Sequence, residues 1–138
     1  SQFSNIDKII SHRNQICKIY NKELEKSKLF SPLPITKYSR LSIWKHITLI
    51  NHSKITRSKI EKILKQKHKI IINWAYDPPL HLQPVYKKKY IHNMQSYKLS
   101  ENLMKRHFHL PLHMQISTED AKHIVKTLIE ESKKIVFN

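Results

Sequence analysis

Tyr76-Asp77-Pro78-Pro79-Leu80-His81-Leu82-Gln83-Pro84 is the stretch from which the fold of this chain is read. It follows an apolar run, Ile70-Ile71-Ile72-Asn73-Trp74, whose composition predicts a buried strand. Pro78, Pro79 and Pro84 fix φ and lack N–H donors, so the chain is expected to leave any sheet here and run extended. A rigid loop after a strand is a good place to present polar groups, which makes Tyr76, His81 and Gln83 the candidate ligand-facing residues. The plainer alternative is a proline turn whose His and Gln are satisfied locally.

Upstream of the loop, Thr56 to about Lys67 reads as a helix with Ile60, Ile63 and Leu64 on one face. Either Thr56 as N-cap or Ser58 with Glu61 as a capping box starts it. Before it, Trp44 to Ile50 is rich in β-branched and aromatic residues and predicts a strand. Further back, Phe3, Ile6, Ile10, Arg13, Cys17, Tyr20 and Leu24 alternate at spacings of three and four. They form one stripe of a long amphipathic helix from Gln2 to about Lys26, which Ser31-Pro32-Leu33-Pro34 must stop near Phe30. Arg13 within that stripe either snorkels to water or pairs across an interface.

Downstream, a short helix is expected around Leu99 to Lys105 and a third strand over His107-Phe108-His109-Leu110, closed by Pro111. Ser117-Thr118-Glu119-Asp120 is the clearest helix start, a hydroxyl cap followed by acidic residues. Ala121, Ile124, Val125, Leu128 and Ile129 then supply a helical face to about Lys134. The order predicts an α+β fold in which a long leading helix precedes a small sheet covered by helices.

Composition bounds the function. The chain has 138 residues, enough for one domain with a real core, and no apolar run of membrane-spanning length. The first residues lack the continuous apolar region of a secretory signal, and one cysteine, Cys17, suits a reducing cytoplasm. Because Ser1 stands where Met would, the start is expected to be processed or cut from a longer chain. The formal charge is +16. That raises nucleic acid as a partner, but the basic residues are dispersed and the densest run, Lys87-Lys88-Lys89, is short. A solvated lysine-rich surface is the simpler account. There is no glycine at all, so Asn and Lys must occupy the positive-φ positions that glycine usually takes, at some backbone strain.

Chemistry-bearing groups are sparse. His107, His109 and His113 cluster in sequence without acidic or cysteine partners, which is weak grounds for a metal, and none is expected. Cys17 lies on the apolar stripe, where a buried inert thiol is expected. A glycine-rich phosphate loop is impossible here. The residues by themselves do not make a complete active site, and no catalytic residue is assigned.

The loop with its flanks resembles the DegT/DnrJ/EryC1/StrS family of sugar aminotransferases. Tyr76 to Pro84 is similar to the family's YPxPLHLQP loop. Asp7, Arg13, Tyr20 and Leu24 resemble its long helix, and Arg57-Ser58-Lys59-Ile60 with Leu64 resembles the helix before the loop. Ser100-Glu101, Leu110-Pro111-Leu112-His113 and Ser117-Thr118-Glu119-Asp120 are similar to its C-terminal close. The resemblance spans essentially the whole chain.

It implies the small domain of a fold-type I, pyridoxal-phosphate enzyme of aspartate-aminotransferase fold. Such enzymes are homodimers that move an amino group, usually from glutamate, onto a nucleotide-linked keto sugar in amino-sugar and polysaccharide biosynthesis. The Schiff-base lysine belongs to a large domain preceding the matched segment, so residues 1–30 are expected to be the linking helix and 31–138 the small C-terminal domain. Alone, this chain is expected to bind no pyridoxal phosphate and to be inactive, with a cofactor-domain polypeptide or a homodimer partner completing it. Tyr76, His81 and Gln83 are then substrate-binding. Ala75 stands where the family often has His, Asp77 replaces a proline, and Lys69 and Asn73 stand at common glycine positions. The competing reading is a basic module that binds nucleic acid or another polyanion without catalysis.

Overall fold

The computed structural model describes residues 2–34, 42–90 and 97–137. The side chains of Gln2, Phe3, Lys87, Lys89 and Tyr90 lie outside that description, and with them the predicted place of Phe3 on the helical stripe and of two lysines in the basic run. After a 3-10 turn over Gln2–Asn5, the elements run α1 (Ile6–Leu24), β1 (Phe30–Pro32), β2 (His46–Ile50), α2 (Arg57–His68), a 3-10 turn (Leu80–Leu82), α3 (Pro84–Tyr90), α4 (Lys98–Arg106), β3 (His107–Leu110) and α5 (Thr118–Phe137). No helix among the described residues is long and apolar enough to cross a membrane.

The three strands form an antiparallel sheet in the order β1-β2-β3, so the α+β reading holds. Phe30 lies opposite Ile50, Thr48 opposite Phe108, and His46 opposite Leu110, which puts all six on one face. That face meets α1, α2 and α5 through a core including Ile16, Tyr20, Leu24, Ile60, Leu64, Val125 and Leu128, each fully buried. Phe30 and Phe108 meet edge to face at 5.8 Å, the preferred geometry for aromatic quadrupoles. The polarity of β2 is inverted. His46 and Thr48 point into the core while Ile47 and Leu49 are half-exposed on the other face.

The inverted strand is tolerated because its inward polar atoms are satisfied. His46 Nε2 lies 2.8 Å from Asn21 Oδ1 on α1, and His46 Nδ1 lies 3.2 Å from Thr48 Oγ1. Tyr20 donates its hydroxyl to the carbonyl of Pro111 at 2.8 Å, tying α1 to the segment after β3. A buried polar group with partners avoids the desolvation cost of an orphan.

Several expectations need correcting. The leading helix stops at Leu24 rather than near Phe30, and only its second half is buried, through Ile16, Cys17, Tyr20 and Leu24. Ile6 on the predicted stripe is 42% exposed. Ser31 and Pro32, expected only as breakers, belong to β1, where Pro32 sits on an edge strand that needs no donor on its outer side. The run Ile70–Trp74 is not a regular strand: it is bridged to β3 only between Asn73 and His109. Ile70 and Ile72 are buried and Ile71 is 64% exposed, so the segment is extended and half-buried without a ladder. The chain after Pro79 is not wholly extended either, because it makes a 3-10 turn and then α3, with Pro84 at a first helical position that suits it.

The helix starts follow the expected chemistry. Thr56 is the N-cap of α2, its side chain accepting from the Lys59 N–H. At α5, Asp120 N–H donates to Ser117 Oγ while Ser117 N–H donates to Asp120 Oδ2, each at 3.0 Å, a reciprocal capping box. Lys69 closes α2 in the left-handed region at φ 59, as a glycine-free chain must.

Candidate functional site

The proline loop is built by its neighbours. Arg57, at the first turn of α2, pairs with the Asp77 carboxylate and lies over the Trp74 ring, 4.7 Å from its centroid. Tyr76 between them has φ 61 and is 76% exposed. Held on both sides, a bulky residue is kept in a conformation that costs of order 1 kcal/mol in a free chain. The Asp77–Pro78 peptide is cis.

His81 and Gln83 turn toward the protein. His81 Nε2 lies 3.1 Å from Glu101 Oε1, which also accepts the Tyr97 N–H at 3.1 Å, and the His81 and Tyr97 rings meet edge on at 4.9 Å. The His81 hydrogen bond holds the Glu101 carboxyl below its usual range. Gln83 Nε2 donates to the carbonyl of Pro78 at 2.6 Å. His81 therefore fastens the loop to the start of α4, and Gln83 closes the loop on itself. Of the three predicted residues, Tyr76 is the one whose ring stands in solvent.

Tyr76 borders a hollow of about 410 Å³ over the outer face of the sheet. Ile47 and Leu49 of β2 line it, with His107 and His109 of β3, Leu103 and Met104 of α4, and Leu33, Trp44 and Lys45 at its edges. Trp44 is 65% exposed. Among the described residues, the lining of the hollow has no carboxylate and Lys45 as its one ammonium. Sequence reading missed this hollow, although the alternation Ile47-Thr48-Leu49 carried a signal once the core side of β2 was known.

Each of the two hollow-lining imidazoles has a hydrogen-bond partner within the chain. His109 Nδ1 lies 3.0 Å from Asn73 Oδ1, and burial, with Lys45 and His107 nearby, lowers its pKa to about 4. His107 Nδ1 lies 3.1 Å from the carbonyl of Met104, to which it donates. The rings of His107 and His109 are 5.4 Å apart, while His113 is exposed. Among the described residues no group of three His, Cys, Asp or Glu side chains could hold a metal ion. Cys17 is buried, and burial pushes its thiol up to about 12.

Pyridoxal phosphate needs a lysine sheltered beside an anion cradle. Among the described residues no lysine is buried, so these residues by themselves do not fit the group.

Comparison with known proteins gives the lineage. An uncharacterized protein of Methanocaldococcus jannaschii is 30% identical over 127 residues, covering 90% of this chain and 31% of that protein. The fold matches TlmJ, an aminotransferase from Streptoalloteichus hindustanus, with TM-score 0.83 at 18% identity over 97% of this chain and 34% of that one. It also matches Helicobacter pylori PseC, an aminotransferase involved in the biosynthesis of pseudoaminic acid, with TM-score 0.78 at 20% identity over 91% and 33% of the two chains. Spr1654 from Streptococcus pneumoniae in its PLP-form gives TM-score 0.82 at 24% identity over 97% and 34%. The chain thus spans about a third of the length of these relatives. The sequence profile of the DegT/DnrJ/EryC1/StrS aminotransferases matches residues 1–129, and the chain belongs to that family.

Proposed function

We propose that this chain is the small C-terminal domain, with its linking helix, of a pyridoxal-phosphate-dependent nucleotide-sugar aminotransferase. Residues 1–30 serve as the link and 31–138 as the domain. The full enzyme takes an amino group from an amino-acid donor such as glutamate and places it on a keto sugar for amino-sugar or polysaccharide synthesis in the cytoplasm. The cofactor, when bound, carries the amino group between the two substrates. This chain does not bind it alone and is inactive alone. A polypeptide with the cofactor domain, or a homodimer partner, completes the site.

The observation that supports this most is Tyr76, clamped between the Arg57–Asp77 pair and Trp74 and set at the rim of an open apolar hollow. An exposed tyrosine held rigidly at the mouth of a hollow suits contact with a sugar nucleotide that another domain also touches. In this reading His81 and Gln83 support substrate binding by fixing the loop. The aminotransferases PseC and TlmJ share the fold.

The test is complementation. The chain is mixed with the cofactor-bearing two-thirds of a family enzyme, and pyridoxal absorbance and transamination of a nucleotide-linked keto sugar are followed. Activity is expected only in the mixture, and Tyr76→Ala is expected to lower kcat/KM about tenfold, roughly 1.4 kcal/mol of transition-state binding. Salt-sensitive binding of nucleic acid by the chain, with no activity in the mixture, would instead favour the polyanion-binding reading.

A further inference from the structure

Part of the +16 charge is gathered on one face of α2. The exposed residues of that helix are Ser58, Lys59, Lys62, Lys65, Gln66 and Lys67, all of them lysines or neutral polar groups. Glu61, the one carboxylate of the helix, is half-buried. In α5, by contrast, Lys122, Lys126, Lys133 and Lys134 are mixed with Glu119, Asp120, Glu130 and Glu131. The segregation on α2 follows from the helical period. Ile60 and Leu64 go to the core, and Lys59, Lys62 and Lys65, three residues apart, fall on the opposite side.

The basic residues of α2 nearest the rest of the protein have carboxylate partners. Arg57 pairs with Asp77, His68 Nε2 lies 3.3 Å from Glu131, and Lys67 is within electrostatic reach of Glu131. Lys59, Lys62 and Lys65 belong to no ion pair among the described residues, and neither does exposed Lys69, which follows them at the C-cap. Successive lysines of the row rise about 4.5 Å along the helix axis. Like charges one turn apart repel and cost helix stability, a cost that a row of anions laid along the face removes.

We propose that the solvent face of α2 docks on the phosphate backbone of double-stranded nucleic acid, without regard to base sequence. One strand of a duplex presents a phosphate about every 3.4 Å of its axis, a spacing that flexible ammonium groups about 4.5 Å apart can follow. Ser58 and Gln66 add neutral donors of the kind that contact phosphate oxygens. The exposed residues of α2 include no aromatic ring on which an unpaired base could stack, which disfavours a single strand. They include no apolar side chain that could enter a lipid surface, which disfavours a membrane. The surface is separate from the Tyr76 hollow, so duplex binding together with transamination in the complemented mixture leaves both readings standing.

Fluorescence anisotropy of the 138-residue chain with a short labelled DNA duplex of mixed sequence, from about 50 to about 200 mM salt, tests it. The logarithm of the binding constant is expected to fall linearly with the logarithm of salt, with a slope between about −3 and −4, or about 0.9 per phosphate contact. Lys59→Gln, Lys62→Gln and Lys65→Gln together are expected to flatten the slope to about −1. Lys18→Gln, Lys122→Gln and Lys126→Gln together remove the same charge from exposed positions on α1 and α5 and are expected to leave the slope within about 0.5 of the parent. Equal flattening by the two triple variants would mean a diffuse field and would overturn the site. No binding at the lowest salt would overturn it as well. Arginine at the same three α2 positions is expected to keep the affinity within about twofold, and loss of binding there would overturn a contact made through charge. Oligo(dT) bound as tightly as the duplex, or phosphatidylserine vesicles bound with the same dependence on the three lysines, would overturn the duplex as occupant. Circular dichroism melts check folding. If the triple α2 variant unfolds, Lys62→Gln alone decides, with an expected loss of about 0.9 from the slope.

Discussion

His46 holds two layers together and pays for it in pH range. Its ring is buried between Asn21 of α1 and Thr48 of its own strand, and lies edge on to Tyr20 at 5.0 Å. Burial, reinforced by His109, lowers its pKa to about 4, whereas an unfolded histidine titrates near 6.5. A lowered histidine pKa means the unfolded chain takes the proton first as pH falls. The contribution is therefore whole above about 6.5 and is lost progressively down to about 4. At pH 5 the loss from His46 is about 2 kcal/mol, with a parallel loss from His109, which faces Lys45 and His107. Urea melts at pH 7.5 and pH 5 should show the drop, and His46→Asn should shrink it; an unchanged drop in the variant would refute the assignment. Cys17 supplies a second residue-scale test. With its thiol buried and pushed up to about 12, alkylation by iodoacetamide at pH 8 should be on the order of 100-fold slower in the folded chain than in urea.

At the scale of elements, the absence of glycine leaves a measurable mark at the end of α2. Lys69 adopts φ 59 with its N–H bonded back to the Leu64 carbonyl, so Lys69→Gly should stabilise the chain by about 0.5–1 kcal/mol in a thermal melt. Ser117→Ala should cost about 1 kcal/mol by opening the box that starts α5. Those helix ends were legible in the sequence because capping is local: Thr56 with Lys59, and Ser117 with Asp120, lie within one turn. β1 was not legible, since Pro32 signals a break locally and becomes a strand residue only when Thr48 lies opposite it. The Ile70–Trp74 run has strand composition, but only Asn73 meets β3. The same limit governed the site. The loop motif singles out Tyr76, His81 and Gln83 as candidates, yet the inward turn of His81 depends on Glu101, 20 residues away, and the hollow depends on which face of β2 meets the core.

The whole molecule combines an apolar open face with a charge of +16, and the two act oppositely on association. Leu33, Trp44 and Tyr76 stand exposed around the hollow, with Ile47 and Leu49 behind them, a surface that a copy of the chain can cover. Net charge of this size keeps copies apart at low ionic strength, where the screening length is about 30 Å at 0.01 M. At about 0.5 M salt the screening length falls to a few Å while burial of apolar surface is undiminished, so the balance moves toward association. Sedimentation of the isolated chain should therefore show mass near 16.6 kDa at low salt and a rising share of larger species as salt is added. Leu33→Glu combined with Tyr76→Glu should hold it monomeric at high salt without lowering its melting temperature, because both side chains are exposed. A chain that stays monomeric at every salt concentration, with a sharp cooperative melt, would show that the face is stable uncovered. Larger species that dissociate as salt is added would show that charge pairing, not the apolar hollow, joins the copies.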